Sequence, residues 1–405
     1  MNNQYLQVAI LPGKGRGYEA TQTVEAGTIV HVSEPIAAIV SHEWTPETCF
    51  WCFEFSYPKK QKIKALTDQD RLTLLQAWGL CTAKQIKNNK LPVFLNNILF
   101  CSEHCRDAFK QSQSSLVEWE QLLAAYHRID VEFKKIVPTT PPIEQVPISK
   151  TIDVWTLDSR DDEVLSHWLD QVWDILQDRP EICNREVEPS DITMCRLIAT
   201  CIVRKNADQT LSTQPFENLM VIQNNELSHF RAHYDHLMLP ELNPTSSVQA
   251  LLLLQTLPAQ VLDIIALYAF LKRALTAPLF NTPAIPSVTH ALFRAILFRE
   301  RANSFGLWEM PKQTQSQDEG AITDDLELLG WGIYPSAVYF NHSCDANVIK
   351  VREKRNIKFI ARRTIEKGQE ACISYGIVHE PVERRRARLL ENYHFDCQCT
   401  RCIYE

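Results

Sequence analysis

The sequence predicts an α+β fold in which strand-rich ends enclose a helical middle. Short segments near both ends alternate polar and apolar residues with the period of a β-strand, as in "YLQVAIL" and "GTIVHVSEPIAAIV". Residues from about 111 to 300 place apolar side chains at helical spacing instead. Cysteines gather in two clusters, one on each side of the helical part, at spacings typical of metal ligands. Together these observations indicate mixed sheets and helices held in part by metal.

Composition limits the function classes. The chain has 405 residues, 45% hydrophobic and 22% charged, which is enough for two or three globular domains. Its net charge of −7 argues against direct binding to nucleic acid. The most apolar stretch, "VQALLLLQTLPAQVLDIIALYAFLKRAL", is interrupted by Gln, Pro and Asp before it reaches the length of a membrane span, so it predicts two core helices. We expect a monomer that binds neither nucleic acid nor a membrane.

The number of cysteines and the N-terminal sequence together indicate a reducing compartment. The chain has thirteen cysteines, and its N-terminus "MNNQYLQVAI" lacks the basic flank and apolar core of a secretory signal. Cysteines without a signal favour a reducing compartment and bound metal over disulfides. The chain is therefore expected in the nucleus, the cytoplasm or both, since no clear import cluster decides between them.

In chain order the sequence divides into five zones. Residues 1–40 predict a small sheet around a glycine-rich turn, and residues 41–110 hold the first cysteine cluster. Residues 111–290 are helical apart from the connector "VPTTPPIEQVP", because Pro cannot continue a helix. Residues 291–378 return to short strands, with the polar stretch "KQTQSQDEGAITDD" as a loop. Residues 379–405 contain a predicted helix, "EPVERRRARLLENYH", and the second cysteine cluster.

The first cluster consists of Cys49, Cys52, Cys101 and Cys105, in the pattern C-x2-C, a long gap, then C-x3-C. Each pair can bring two thiolates to one tetrahedral ion, and two pairs complete a closed structural zinc site. Because the first pair lies in the apolar stretch "CFWCF", its cysteines are alternatively plain core residues. A closed zinc site has no open position for catalysis.

The second cluster lies in "FDCQCTRC", where Cys397, Cys399 and Cys402 can supply three of the four ligands of a tetrahedral metal site. Cys344 in "YFNHSCDAN" can supply the fourth ligand. A nucleophilic pair of Cys344 with His342 is less favoured, since the three tail cysteines would then have no evident partner. Unpaired surface cysteines are the alternative for the tail.

The stretch "LPGKGRGYEA" has three glycines at alternate positions. It matches neither a phosphate-binding loop nor a dinucleotide-binding motif. Its backbone can approach a ligand closely, and the cations of Lys14 and Arg16 can meet a carboxylate. A plain β-turn explains the same glycines.

These residues together resemble the SET-domain protein lysine methyltransferases, and more closely the SMYD-like branch with an inserted MYND zinc finger. The motifs occur in the family's order: "GKGRG", the cysteine insertion, "RANSFG", "IYPSAVYFNHSCDAN", and "GQEACISYG" followed by "FDCQCTRC". Residues 1–40, 41–110 and 290–405 carry the resemblance, and residues 111–290 follow it only by position.

The resemblance implies an α+β architecture of small SET-domain sheets around a pseudoknot-like threaded segment. The SET domain would be split between residues 1–40 and 291–378, with a MYND-like finger at 41–110, a large helical insertion at 111–290 and a zinc-binding post-SET tail at 379–405. S-adenosyl-L-methionine would bind on one face, and the target lysine would enter from the other through a narrow channel.

The resemblance also implies site residues. Tyr375 would be the catalytic tyrosine, and Tyr393 would line the methyl-transfer site beside it. Without the motif, Tyr375 would read as a core strand residue and His342 as an ordinary buried histidine. The implied cofactor contacts are Lys14, Gly15, Arg16, Asn303, Asn341, His342, Tyr375 and Phe395.

The sequence departs from the family pattern in two places. A full MYND finger has eight ligands, whereas this insertion has four, so we expect one zinc ion there and two per chain. Near the predicted active site, Gln369 and Ala371 replace an acid and the leucine of the family's G-E-E-L, and Ala346 replaces the proline of D-P-N.

Two functions of different class follow. The first is a protein-lysine N-methyltransferase that uses S-adenosyl-L-methionine on a histone or another protein. The alternative is a catalytically inactive, zinc-stabilised scaffold for protein–protein interaction. The cofactor-facing residues favour the enzyme, since a scaffold needs none of them. A zinc hydrolase is disfavoured because both predicted metal sites are closed and all-cysteine.

Overall fold

The computed structural model confirms the α+β class. It describes residues 4–87, 95–135, 156–158, 160–207, 216–233, 238–240, 242, 247–278, 281–285, 288–301, 303–310 and 326–405. The connector "VPTTPPIEQVP" and the polar stretch "KQTQSQDEGAITDD" lie outside the described residues.

The strands come from both ends of the chain and form small sheets. Strands from residues 29–40 pair with strands from residues 328–361, so the two ends of the sequence build one unit. The strands are β1 (Leu6–Leu11), β2 (Gly15–Ala20), β3 (Ile29–Ser33), β4 (Ala37–Val40), β5 (Ile63–Lys64), β6 (Leu99–Phe100), β7 (Thr156–Asp158), β8 (Met238–Pro240), β9 (Ser304–Trp308), β10 (Leu328–Ile333), β11 (Asn341–His342), β12 (Val348–Glu353), β13 (Asn356–Ala361) and β14 (Cys372–Ile373).

Among the described residues, the sheets have the orders β4-β10-β9, β12-β13-β3, β1-β2, β5-β6, β7-β8 and β11-β14. The pair β11-β14 is parallel and aligns Asn341 with Cys372 and His342 with Ile373. This short ladder places the "FNHSC" segment beside the "ACISYG" segment, which brings the two predicted site motifs together.

Helices fill the middle of the chain. Several begin at a Ser or Thr whose side chain caps the first turn, as Ser102 and Ser115 do. The helices are α1 (Asp68–Ala77), α2 (Ala83–Lys87), α3 (Glu103–Gln111), α4 (Leu116–Phe133), α5 (Asp162–Leu176), α6 (Pro180–Cys183), α7 (Pro189–Asn206), α8 (Glu217–Met220), α9 (Glu226–His233), α10 (Ser247–Thr256), α11 (Ala259–Thr276), α12 (His290–Glu300), α13 (Val382–Tyr393) and α14 (Thr400–Tyr404).

The predicted pair of core helices is present as α10 and α11, and α11 is largely buried. Of the helices in the described ranges, none alone is long and apolar enough to cross a membrane. Taken together, α10 and α11 have the length and apolar composition of a membrane span, but the two helices are bent by 119° relative to each other.

Close approach of β4 and β10 requires a glycine at residue 330. A Cβ added at Gly330 would lie 2.1 Å from the backbone oxygen of Ile39. Since both atoms belong to the backbone frame, no side-chain rotation can relieve that contact.

We expect Gly330→Ala to lower the free energy of unfolding by about 1–3 kcal/mol, because the added methyl must push β4 and β10 apart. Urea denaturation measures this change. Gly376→Ala is the matched control: its Cβ would meet only the flexible side chain of Arg388, at 3.4 Å or more, so the change should stay within about 0.5 kcal/mol. Equal effects of the two variants would contradict the packing argument.

Candidate active site and cysteine clusters

The structure brings together the four cysteines of the first cluster. The sulfur atoms of Cys49, Cys52, Cys101 and Cys105 all lie within 4.8 Å of one another. Ser102 caps α3 by accepting a hydrogen bond from the backbone N–H of Cys105, which fixes the last ligand in the first turn of that helix. Four sulfurs at these separations form a donor set suited to one tetrahedral ion.

The β12–β13 hairpin packs against this first cluster. The guanidinium of Arg355 lies 3.6 Å from the ring centroid of Trp51. Arg352 lies 3.4 Å from the backbone oxygen of Phe53, to which it donates a hydrogen bond. The cysteine insertion is thereby fixed to the three-stranded sheet β12-β13-β3.

The second cluster joins the tail to residue 344. The sulfurs of Cys344, Cys397, Cys399 and Cys402 also lie within 4.8 Å of one another, with Cys344 and Cys402 3.4 Å apart. The buried Arg385 donates to the sulfur of Cys402 at 3.6 Å and to the carboxylate of Glu405 at 2.7 Å. A cation next to thiolates offsets their negative charge.

Both clusters contain a thiol that readily ionises. A hydrogen bond from Cys52 is the main reason that the pKa of Cys49 falls to about 5. A hydrogen bond from Cys397 is the main reason that the pKa of Cys344 falls to about 3. Each thiolate is thus stabilised by neighbouring S–H groups, and a metal cation would displace those protons.

Tyr375 lies at the centre of the candidate site. Its hydroxyl donates to the backbone oxygen of Phe340 at 2.9 Å, and its backbone N–H donates to His342 Nδ1 at 3.1 Å. Burial raises the pKa of Tyr375 well above its ordinary value, so the phenol stays neutral. Its proton is committed to Phe340, which leaves the oxygen lone pairs available to another donor.

Tyr393 and Phe395 surround Tyr375 from the tail. The ring centroids of Tyr375 and Tyr393 are 4.8 Å apart, and those of Tyr375 and Phe395 are 6.3 Å apart. His394 makes the turn between Tyr393 and Phe395: it caps the C-terminal end of α13 in the left-handed conformation, with φ 59°. That turn redirects the chain, so that Phe395 comes back toward the site and to 6.1 Å from the ring of His342.

A second group of polar residues meets at a carboxylate. Lys14 Nζ lies 2.5 Å from Glu370 Oε2, and Asn341 Nδ2 donates to Glu370 Oε1 at 2.9 Å. Burial alone would lower the pKa of Lys14, but its hydrogen bond to Glu370 and nearby negative charges raise it. Glu370 was not among the predicted site residues. Its position in "GQEAC", as the acid that remains of the family's G-E-E-L, could have indicated it.

The glycine turn lies against Asn341. The Asn341 amide also donates to the backbone oxygen of Arg16 at 3.3 Å. A Cβ at Gly17 would lie 2.5 Å from Asn341 Nδ2, so residue 17 must be a glycine for the Asn341 side-chain amide to occupy its position. Gly15 has φ +74° with open space around it, which allows the chain to turn.

Arg16 and Asn303 contact the helical insertion. The Arg16 guanidinium donates to the backbone oxygen of Val221 at 2.6 Å. The Asn303 amide donates to the backbone oxygens of Gln223, at 3.3 Å, and Arg299, at 2.9 Å. The segment after α8 thus adjoins two predicted cofactor contacts. No sequence signal indicated it, since backbone oxygens carry no side-chain identity.

Comparison with known proteins bears on this arrangement. The SET domain family matches residues 15–376. A Saccharomyces cerevisiae protein named potential protein lysine methyltransferase SET6 is 28% identical over 411 residues, which cover 99% of this chain and 95% of the yeast protein. The Arabidopsis thaliana protein named histone-lysine N-methyltransferase ASHR2 is 32% identical over 131 residues, or 30% of this chain and 31% of the plant protein.

A similar but shorter match is to the Homo sapiens protein named histone-lysine N-methyltransferase SMYD3, which is 38% identical over 78 residues, or 19% of this chain and 18% of the human protein. The family match includes both end segments that build the paired sheets, and Tyr375 itself, but not Lys14, Tyr393 or Phe395. From this match, the chain belongs to the SET-domain family.

Proposed function

We propose that the protein is an S-adenosyl-L-methionine-dependent protein-lysine N-methyltransferase. The observation that carries the proposal is the environment of Tyr375: a neutral, partly buried phenol whose hydroxyl donates to the Phe340 oxygen at 2.9 Å and whose ring lies near those of Tyr393 and Phe395. The names of the yeast, plant and human relatives support the same activity.

The residues around Tyr375 fit the proposed cofactor. An ammonium, a carboxylate and an amide meet at Lys14, Glu370 and Asn341, which suits the zwitterionic amino-acid part of the molecule. The partly buried ring of Phe395 offers an apolar face for the base. S-adenosyl-L-methionine supplies, when bound, a methyl group already activated on a sulfonium.

The chain's own contribution is to orient the acceptor amine and keep it neutral. The lone pairs of the Tyr375 oxygen can accept a hydrogen bond from a lysine amine, since the hydroxyl proton is taken by Phe340. A lysine near pKa 10.4 is protonated at neutral pH, and burial of its amine beside the Tyr375 and Tyr393 rings, whose centroids are 4.8 Å apart, would disfavour that charged form. The displaced proton passes to solvent before the amine is aligned.

We also propose that each cysteine cluster holds one Zn²⁺. Four thiolates in a closed set match structural zinc, and neither set leaves an open position for a substrate. The ions would hold the insertion and the tail in place without entering the reaction.

The substrate is proposed to be a lysine of a histone or another protein, and the protein to act as a monomer in the nucleus, the cytoplasm or both. The second candidate function remains a catalytically silent scaffold. It is favoured by one observation: Arg16 and Asn303, which the resemblance assigns to the cofactor, donate to backbone oxygens of the helical insertion instead.

Removing the Tyr375 hydroxyl separates the two functions. We expect Tyr375→Phe to lower kcat by at least about a hundredfold, because the acceptor amine loses the group that aligns it. Incubation with radiolabelled S-adenosyl-L-methionine and a protein extract measures the transfer. Cofactor affinity, measured by calorimetry, should change by less than about threefold.

Tyr404→Phe is the matched control, since Tyr404 is 83% exposed. This variant should transfer methyl groups at the wild-type rate. Wild-type turnover in Tyr375→Phe would remove the catalytic assignment, and the absence of cofactor binding and transfer in the wild type would favour the scaffold.

Metal content tests the two clusters one at a time. Mass spectrometry of the intact native protein should find two zinc ions in the wild type and one in either Cys101→Ser or Cys397→Ser, because three thiolates bind zinc far more weakly than four. Cys81→Ser, outside both clusters, should keep two. Only the tail variant should also weaken cofactor binding, by at least about tenfold, since it frees the segment with Phe395. A wild type without zinc would refute both sites.

A further inference from the structure

His342 uses both ring nitrogens within the protein. Nδ1 accepts a hydrogen bond from the backbone N–H of Tyr375 at 3.1 Å, and Nε2 lies 3.3 Å from the sulfur of Cys344. The side chain is 8% exposed. The imidazole therefore forms a direct bridge between a ligand of the tail cluster and the backbone of the tyrosine at the centre of the site.

The donors and acceptors of this bridge can be assigned. A backbone N–H can only donate, so Nδ1 must be the unprotonated nitrogen, and in a neutral ring the proton is then on Nε2. That N–H faces the Cys344 sulfur at 3.3 Å, which accepts a hydrogen bond more strongly as a thiolate than as a thiol. The bridge is thus polarised, with Cys344 as acceptor and Tyr375 as donor.

In the residues that the structure describes, backbone hydrogen bonds hold the segment before Tyr375 but do not reach its N–H: one more, from Ser343 to Ile373 at 3.0 Å, follows the β11–β14 ladder. The parallel ladder of β11 and β14 has two residues on each strand, and Tyr375 lies two residues beyond its end. In the part of the chain that the structure describes, His342 is the acceptor for the Tyr375 N–H. The position of Tyr375 past the ladder therefore depends on side chains. His342 accepts from its backbone N–H, Tyr393 donates to its backbone oxygen at 3.4 Å, and its own hydroxyl donates to Phe340.

The other end of the bridge depends on the tail. Cys344 Sγ lies 3.4 Å from Cys402 and within 4.8 Å of the sulfurs of Cys397 and Cys399. Opening the tail cluster would leave the Cys344 side chain free to rotate, and Nε2 would lose a fixed acceptor.

We propose that His342 is a positioning residue that couples closure of the tail cysteine cluster to the placement of Tyr375. The proposal deepens the proposed function, on which it rests, by making the tail cluster a control element of the methyl-transfer site. Loss of metal or oxidation of a tail thiol would then displace Tyr375 as well as Phe395. It also changes the expected part of His342, whose two nitrogens already have protein partners and leave only the ring faces for a cofactor.

Two conservative substitutions separate the ends of the bridge. The carbonyl oxygen of His342→Asn can take the place of Nδ1, so it can keep the contact with Tyr375 while losing the one with Cys344. The terminal amide of His342→Gln reaches as far as Nε2, so it can donate to Cys344 while losing the acceptor for Tyr375.

Hydrogen exchange at the Tyr375 backbone amide measures the coupling between the tail cluster and Tyr375 independently of methyl transfer. Fragmentation in the mass spectrometer resolves the exchange to this residue. We expect Cys397→Ser to speed this exchange by at least about tenfold in the wild-type background. In the His342→Asn background the same cysteine change should have less than about a twofold effect, since the bridge is already cut at Cys344.

For His342→Gln we expect faster exchange at Tyr375, two zinc ions retained, and a fall in kcat of about tenfold with the KM for the cofactor within about threefold. His379→Gln makes the same chemical change at an exposed histidine and should match the wild type. The proposal is overturned if Cys397→Ser leaves Tyr375 exchange unchanged, or if its effect is equal with and without His342. A wild type that transfers no methyl groups would refute the proposed function, while the exchange result would still decide the coupling.

Discussion

The site depends on a tail that folds back. The four sulfurs of Cys344, Cys397, Cys399 and Cys402 lie within 4.8 Å of one another, although 53 positions separate Cys344 from the nearest of the others in sequence (397 − 344). A short helix, α13, and the left-handed turn at His394 carry the chain back to this point. Because Phe395 stands between that turn and the first tail cysteine, closing the cluster also sets the ring beside Tyr375.

Side-chain hydrogen bonds, more than sheet ladders, fix the segments that meet there. Asn347 donates to the backbone oxygen of Glu370 at 2.8 Å and accepts from the N–H of Cys372 at 2.8 Å. Earlier in the same segment, Asn341 donates to the backbone oxygen of Arg16 at 3.3 Å, and His342 accepts from the backbone N–H of Tyr375 at 3.1 Å. A two-residue ladder leaves neighbouring backbone N–H and C=O groups without a hydrogen-bond partner, and the polar side chains of these short loops supply one. This explains why the "NHSCDAN" segment is rich in polar residues.

Much of the fold could be predicted because its signals are local. Alternation in "GTIVHVSEPIAAIV" predicts β3 and β4, and apolar spacing predicts α11 and α13. The cysteine spacings predicted the first donor set and three members of the second, since a tetrahedral ion demands close groups of ligands, and Cys344 followed because the three tail cysteines needed a fourth. The bend between α10 and α11 could not be read in the same way, because it depends on what each helix packs against.

The sequence by itself determined which chemical groups are available: two sets of four thiols, a glycine turn with cations, and a tyrosine in a motif of the SET-domain family. Tertiary structure alone decided the pairings, such as Lys14 with Glu370, Arg355 over Trp51 and Arg16 with Val221. The physical reason is that residue type limits what a group can donate, accept or ligate, whereas the choice of partner among many distant candidates is made by packing.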